Sequence, residues 1–174
     1  MNQTTFTCKT CGKEHPGPPL VYVMEAPAWL YTIPEEERRK RAVLTSDQCI
    51  IDDKQFFILG RIEIPIIGRE ETFCWLSWVS LSEQNYDRAC DLWSVPGREN
   101  EPPYFGWLSS ALPYEPTTVG LKTFVHTRPV GQRPFIEIEP TDHPLAIEQR
   151  NGITYEQVCE IAEMMIHEMT GDNA

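Results

Sequence analysis

Across residues 55–81, QFFILGRIEIPIIGREETFCWLSWVSL, the apolar side chains alternate instead of following a helical spacing. Ile62, Ile64 and Ile66 recur at every second position against Arg61, Glu63 and Pro65, the period of a strand with one covered face. The run just before it, DQCII at 47–51, supplies a partner strand, giving a hairpin that turns near Asp52 to Gln55. Residues 71–81, ETFCWLSWVSL, are apolar on both faces, which places that strand in a covered, central position.

Outward from this strand pair the helical period returns. Ser82 is a good N-cap for EQNYDRACDLW, where Tyr86, Ala89, Cys90 and Trp93 fall at three- and four-residue spacing and form one buried stripe. On the other side, IPEEERRKRAVL puts Pro34 where a first helical turn tolerates it. Its three glutamates then lie at the positive end of the helix dipole and its basic run at the negative end, so a short solvated helix is predicted.

Residues 94–120 are rich in proline, glycine and aromatics and read as a long connection, the best candidate for a binding loop, with Tyr104 and Trp107 as its exposed pair. LKTFVHTRPVGQRPFIEIEP then predicts a second hairpin turning at PVGQ, with Glu137 and Glu139 on its solvent face. A short helix in PLAIEQR stops at Asn151 and Gly152. A last helix starts at Thr154 with Gln157 completing a capping box, and Val158, Ile161, Ala162, Met165 and Met169 form its apolar stripe. The order lacks regular strand–helix alternation, so the expected class is α+β, a mostly antiparallel sheet with flanking helices and an N-terminal metal knuckle. One domain over 1–174 is expected, with 1–33 as knuckle and proline-rich arm and 34–174 as the α+β body.

The knuckle is the sharpest chemical signal. In CKTCGKEH, Cys8 and Cys11 are separated by two residues and followed by Gly12, a turn that aims both sulfurs at one point, with His15 as a third donor. Zinc takes four donors from thiolate and imidazole. Cys49, beside polar residues at the start of a strand, is the expected fourth ligand. Cys74, Cys90 and Cys159 sit in apolar runs and read as small buried hydrophobes. A redox pair would need a helix directly after the motif, which Gly12 and Pro16 interrupt.

A second constellation is TDHP, where Asp142 beside His143 could orient a general base, or could cap the helix after Pro144. His126 sits in a strand, and His167 lies near the C-terminal end of the last helix, where an imidazolium suits the dipole. No phosphate-binding glycine loop, dinucleotide fingerprint, nucleophile elbow or zinc-protease helix is present.

The composition bounds the rest. With 26 acidic and 15 basic side chains the net charge is −11, which disfavours nucleic acid and anionic membranes as partners and suits a basic protein. The first residues show no basic stretch followed by an apolar run, and no window approaches the length of a bilayer span, so a cytoplasmic location with reduced thiols is expected.

The stretches CKTCGKEH, RIEIPI, WLSWVSLSE, PPYFGWLSSALP and TDHPLAIEQRNGIT resemble a bacterial family of uncharacterised proteins, the domain of unknown function numbered two-one-nine-nine. That resemblance implies a bacterial protein with the Cys8 and Cys11 pair as a family feature, and implies no catalytic residue. The expectation is a small cytoplasmic, zinc-stabilised module that binds another protein without catalysis. The alternative is a zinc-dependent hydrolase with an open metal position and Asp142 and His143 as proton carriers.

Overall fold

The computed structural model describes residues 5–170. In chain order the elements are β1 (Thr5–Thr7), β2 (Glu14–Pro16), β3 (Val21–Val23), a 3-10 helix (Ala28–Thr32), α1 (Glu35–Arg41), β4 (Ala42–Leu44), β5 (Gln48–Ile51), β6 (Gln55–Pro65) and β7 (Thr72–Leu81). There follow α2 (Glu83–Asp91), β8 (Tyr104–Leu108), β9 (Lys122–His126), β10 (Phe135–Ile138), α3 (Pro144–Asn151) and α4 (Tyr155–Thr170).

The alternation that predicted β6 sets two faces. Ile58, Ile62 and Ile64 sit opposite Val79, Trp75 and Phe73 of antiparallel β7 and point to one side. β7 also pairs antiparallel with β8, β8 with β9 and β9 with β10, and β10 returns parallel to β6, so these five strands close into a mixed barrel. The α+β class holds, but the mostly antiparallel sheet expected from the sequence is corrected to this closed barrel with a separate antiparallel pair, β1 and β2. β3 adds a further parallel pairing with β7.

A barrel of five strands has a narrow interior, which must be filled by alternating large and small side chains. Trp75, Ile62, Val79, Leu108, Val125 and Ile136 fill it, and burial of each such side chain contributes about 1.5–3 kcal/mol. Gly60 and Gly106 leave the room they need. A Cβ on Gly106 would lie 2.4 Å from Val79 Cγ1 and 2.6 Å from the Ser80 carbonyl oxygen, and one on Gly60 would lie 2.8 Å from Ile136.

The outer face of β6 and β7 is covered as well. Phe57, Leu59, Cys74, Leu76 and Trp78 form a second apolar cluster with Cys49 and Ile51 of β5 and with Ala26, Leu30 and Ile33. The segment read as an extended arm therefore contains β3 and a 3-10 helix, and Leu30 and Ile33 pack onto the barrel. The covered position expected for residues 71–81 is observed.

Closure between β10 and β6 rests on one register pair, Phe135 with Arg61, and on Arg61 N donating to the Pro134 carbonyl at 2.8 Å. Ion pairs reinforce this seam. Arg128 reaches both oxygens of Glu63 at 2.9 Å, Arg61 Nε donates to Glu63 at 2.8 Å, and Arg133 Nε donates to Asp47 at 2.6 Å. Arg98, only 8% exposed, donates to the carbonyls of Trp93, Arg128, Pro129 and Gln132 and so fixes the turn between β9 and β10.

Local signals match their elements. Asp52 and Asp53 both adopt φ of 52°, a left-handed conformation that aspartate tolerates, in the three-residue loop left by the Ile51–Gln55 pairing. The Ser82 side chain accepts from Asn85 N, and Thr154 and Gln157 exchange hydrogen bonds as a capping box. Tyr86 is buried under α2, but Trp93 lies past the end of that helix, 37% exposed, which removes it from the expected stripe. On α4, Val158 and Ala162 are fully buried, whereas Met169 has a side chain outside the described residues. Among the described residues no helix is long and apolar enough to cross a membrane.

Candidate functional site

The knuckle is built by β1 and β2, which pair antiparallel with Phe6 opposite His15 and bring His15 back beside the two cysteines. Its tight turn is closed by Gly12 N donating to the Cys8 carbonyl at 2.9 Å and Cys8 N to the Lys13 carbonyl at 2.9 Å. Gly12 has φ of 70°, a conformation glycine adopts without a Cβ penalty. Cys11 N points at Cys8 Sγ from 3.4 Å, a donor that favours thiolate over thiol. The ligand atoms of Cys8, Cys11 and His15 lie within 4.8 Å of one another, a group that could hold a metal ion. Cys11 Sγ is 3.2 Å from His15 Nε2.

Cys8 is buried against α4 while Cys11 is exposed. Burial pushes the Cys8 thiol up, but hydrogen bonds from His167 and Cys11 outweigh it and bring the thiol down to about 6. This lowering favours the thiolate, the form that binds metal. His167 Nε2 stands 3.3 Å from Cys8 Sγ, so this histidine faces the knuckle, a contact beyond the helix-end role expected of it.

α4 also receives the neighbouring residue. Lys9 N donates to Glu163 Oε1 at 2.8 Å, and Lys9 Nζ reaches Glu156 at 2.9 Å and Glu160 at 3.3 Å. Glu156, Glu160, Glu163 and His167 follow one another in steps of four, three and four residues, so they form one polar stripe along the helix. Glu163 is only 8% exposed and is satisfied by the Lys9 amide. Sequence reasoning missed this surface; its signal was a polar stripe at helical spacing beside an apolar one.

Cys49 stands elsewhere. It is fully buried in the outer apolar cluster, where burial pushes its thiol up to about 11, and it does not belong to the Cys8, Cys11 and His15 group. The expected fourth ligand is thereby corrected: Cys49 faces the barrel because its strand alternates that way. Cys74 is likewise buried and pushed up to about 11, as a small hydrophobe should be.

The matching family model is described as "Uncharacterized protein conserved in bacteria (DUF2199)" and covers residues 7–153. The chain belongs to this family. The DUF2199 match includes Cys8, Cys11 and His15 and stops before α4. No curated protein and no solved structure matches the chain.

The other sequence candidates separate. Residues 104–108, expected inside a loop, form β8, with Tyr104, Gly106 and Leu108 facing inward and Phe105 and Trp107 outward. Tyr104 is 6% exposed and donates to Glu101 at 2.9 Å, which corrects its expected exposure, whereas Trp107 is 45% exposed. Trp107 packs edge-on against Phe105 at 5.2 Å between centroids and shares with Trp29 the rim of a groove floored by Phe56, Phe57 and Leu81.

Asp142 is exposed, and it is His143 that caps α3: its Nδ1 accepts from Leu145 N at 3.1 Å while its Nε2 lies 2.8 Å from the Pro116 carbonyl. Both ring nitrogens of His143 are engaged, so the cap falls to His143 and not to Asp142. His126 pairs with Glu137 across two strands at 2.6 Å.

Proposed function

We propose that this protein is a small zinc-stabilised protein-binding module without catalysis of its own. Zinc suits the donor set, since two thiolates and an imidazole are the ligands it prefers and a turn of this spacing supplies the sulfurs without strain. Bound there, it would anchor a knuckle whose strands have three residues each and little apolar surface. A cytoplasmic setting fits such thiolates.

The observation that carries partner binding is the exposed aromatic cluster. Trp29 and Trp107, each more than 40% exposed, line one apolar groove of about 550 Å³, and Phe105, 40% exposed, packs edge-on against Trp107 beside it. Exposed aromatics beside a groove bury large area at small entropic cost, which makes them natural contact points for a protein partner. The net charge of −11 favours a basic one. The engaged ring of His143 speaks against its service as a proton carrier in the hydrolase alternative.

The test places a photo-crosslinking residue at Phe105 and, as control, at exposed Val43. The proposal expects a discrete protein adduct from position 105 that Trp29→Ala and Trp107→Ala abolish, and none from position 43. No adduct at physiological salt contradicts it.

A further inference from the structure

We infer that His167 on α4 is the fourth protein ligand of the metal held by Cys8, Cys11 and His15, so that the centre is a closed Cys2His2 clasp between the knuckle and α4. The inference rests on reading the knuckle as a metal centre, and it adds a ligand from beyond residues 7–153.

The geometry has two parts. First, the four donors already stand in two sulfur–nitrogen pairs, Cys11 with His15 at 3.2 Å and Cys8 with His167 at 3.3 Å. Around zinc, bonds of about 2.3 Å to sulfur and about 2.0–2.1 Å to nitrogen give a tetrahedral S···N edge of roughly 3.6 Å. Each pair is within a few tenths of an ångström of that edge, while His167 lies outside the group whose donors are all within 4.8 Å of one another, so its ring must move toward Cys11 and His15 as the metal binds. Second, contacts other than the metal donors show the register of the knuckle on α4. Lys9 is tied to Glu156, Glu160 and Glu163, and the next position of the same stripe is His167, which meets Cys8. Its distance in sequence from Cys8, 159 residues, is bridged by those contacts.

The donor set has a chemical consequence. Two thiolates neutralise a divalent cation, so the filled clasp adds no net charge beside the three glutamates of the stripe. Four protein ligands leave no position for a reactive water, which makes the metal a structural bond between two distant segments.

A hydrogen bond from His167 to the Cys8 thiolate, behind a three-ligand metal, would give the same short contact, so the test must see the metal–nitrogen bond itself. The full-length protein, loaded with cadmium-113 and labelled with nitrogen-15 in its histidine rings, is measured by NMR for scalar coupling between metal and ring nitrogen. The expected result is coupling to Nε2 of both His15 and His167. His167→Cys should keep one metal per chain, and His167→Ala should lose more affinity than the roughly 10–100-fold that removal of an outer partner costs. Near-ultraviolet dichroism of buried Trp75 and Trp78 reports whether the barrel of each variant is intact. Coupling to His15 alone, with one cadmium bound, overturns the clasp and leaves the three-residue metal centre standing. A wild-type protein that retains neither cadmium nor zinc overturns the metal reading and the clasp together.

Discussion

The barrel and the knuckle hold their shapes by different means. In the barrel, fully buried Trp75, Ile62, Val79 and Ile136 exclude water from a closed ring of strands, and the apolar interior is its own support. In the knuckle, β1 and β2 show only exposed and half-buried side chains, and Cys8 is the buried residue between them. What holds it is polar: the β1–β2 pairing, two further backbone hydrogen bonds in the turn, the Lys9 contacts to α4, and the donors that could bind a metal. A segment too small to bury apolar surface can still take a definite position when its polar groups are satisfied by a helix that the main core already fixes.

This contrast predicts a graded series of responses. Removing an interior side chain should damage the whole molecule: Trp75→Ala should cost about 3–5 kcal/mol in denaturant unfolding, with protection lost throughout the barrel. If only the segment near β3 were affected, the barrel would not be the cooperative unit described. Gly106→Ala should come next. The added methyl meets Val79 and backbone of Ser80, so about 1–3 kcal/mol or more is expected from overpacking, measured the same way.

At the seam, Glu63→Gln should cost about 1–3 kcal/mol at pH 7, because it leaves Arg128 and Arg61 half-paired. The Arg128 hydrogen bonds hold the Glu63 carboxyl below its ordinary range, against burial and with help from Arg61. A depressed carboxyl stabilises the fold above its unfolded pKa of about 4.3, and that stabilisation is lost as pH falls through the lower folded value. The wild type should therefore lose stability on acidification below about pH 5, and the variant should show a shallower decline in that window. Chelation should have the smallest effect on the barrel. Its denaturant midpoint should barely move, while the knuckle becomes sensitive to protease between Cys8 and Gly12.

The sequence revealed these regions unequally, for physical reasons. β6 and β7 were legible because each has a long run with one rule, alternation in the first and apolar character on both faces in the second. The caps at Ser82 and Thr154 were legible because capping is local. Closure of the barrel was hidden, since it depends on a single β10 to β6 register pair and on space left by Gly60 and Gly106, neither of which has a pattern. β8 was hidden by its shortness and by Pro102, Pro103 and Gly106, which mark a loop in most settings. In the site, Cys8, Cys11 and His15 were found because a turn brings them together over eight residues, while Cys49 was misplaced because strand parity, invisible near a turn, decides which way it faces. The stripe that ends at His167 was present in the sequence, but it gains meaning only once the fold lays the knuckle along it.

The measurement that tests this account most directly is hydrogen exchange, read by mass spectrometry, on the zinc-loaded protein before and after chelation. The account predicts that protection at residues 8–13, where Gly12 and Cys8 amides are bonded within the turn, is lost on chelation, while β6 and β7 exchange as slowly as before. Unchanged protection in the knuckle, or loss of protection in the barrel as well, would contradict it.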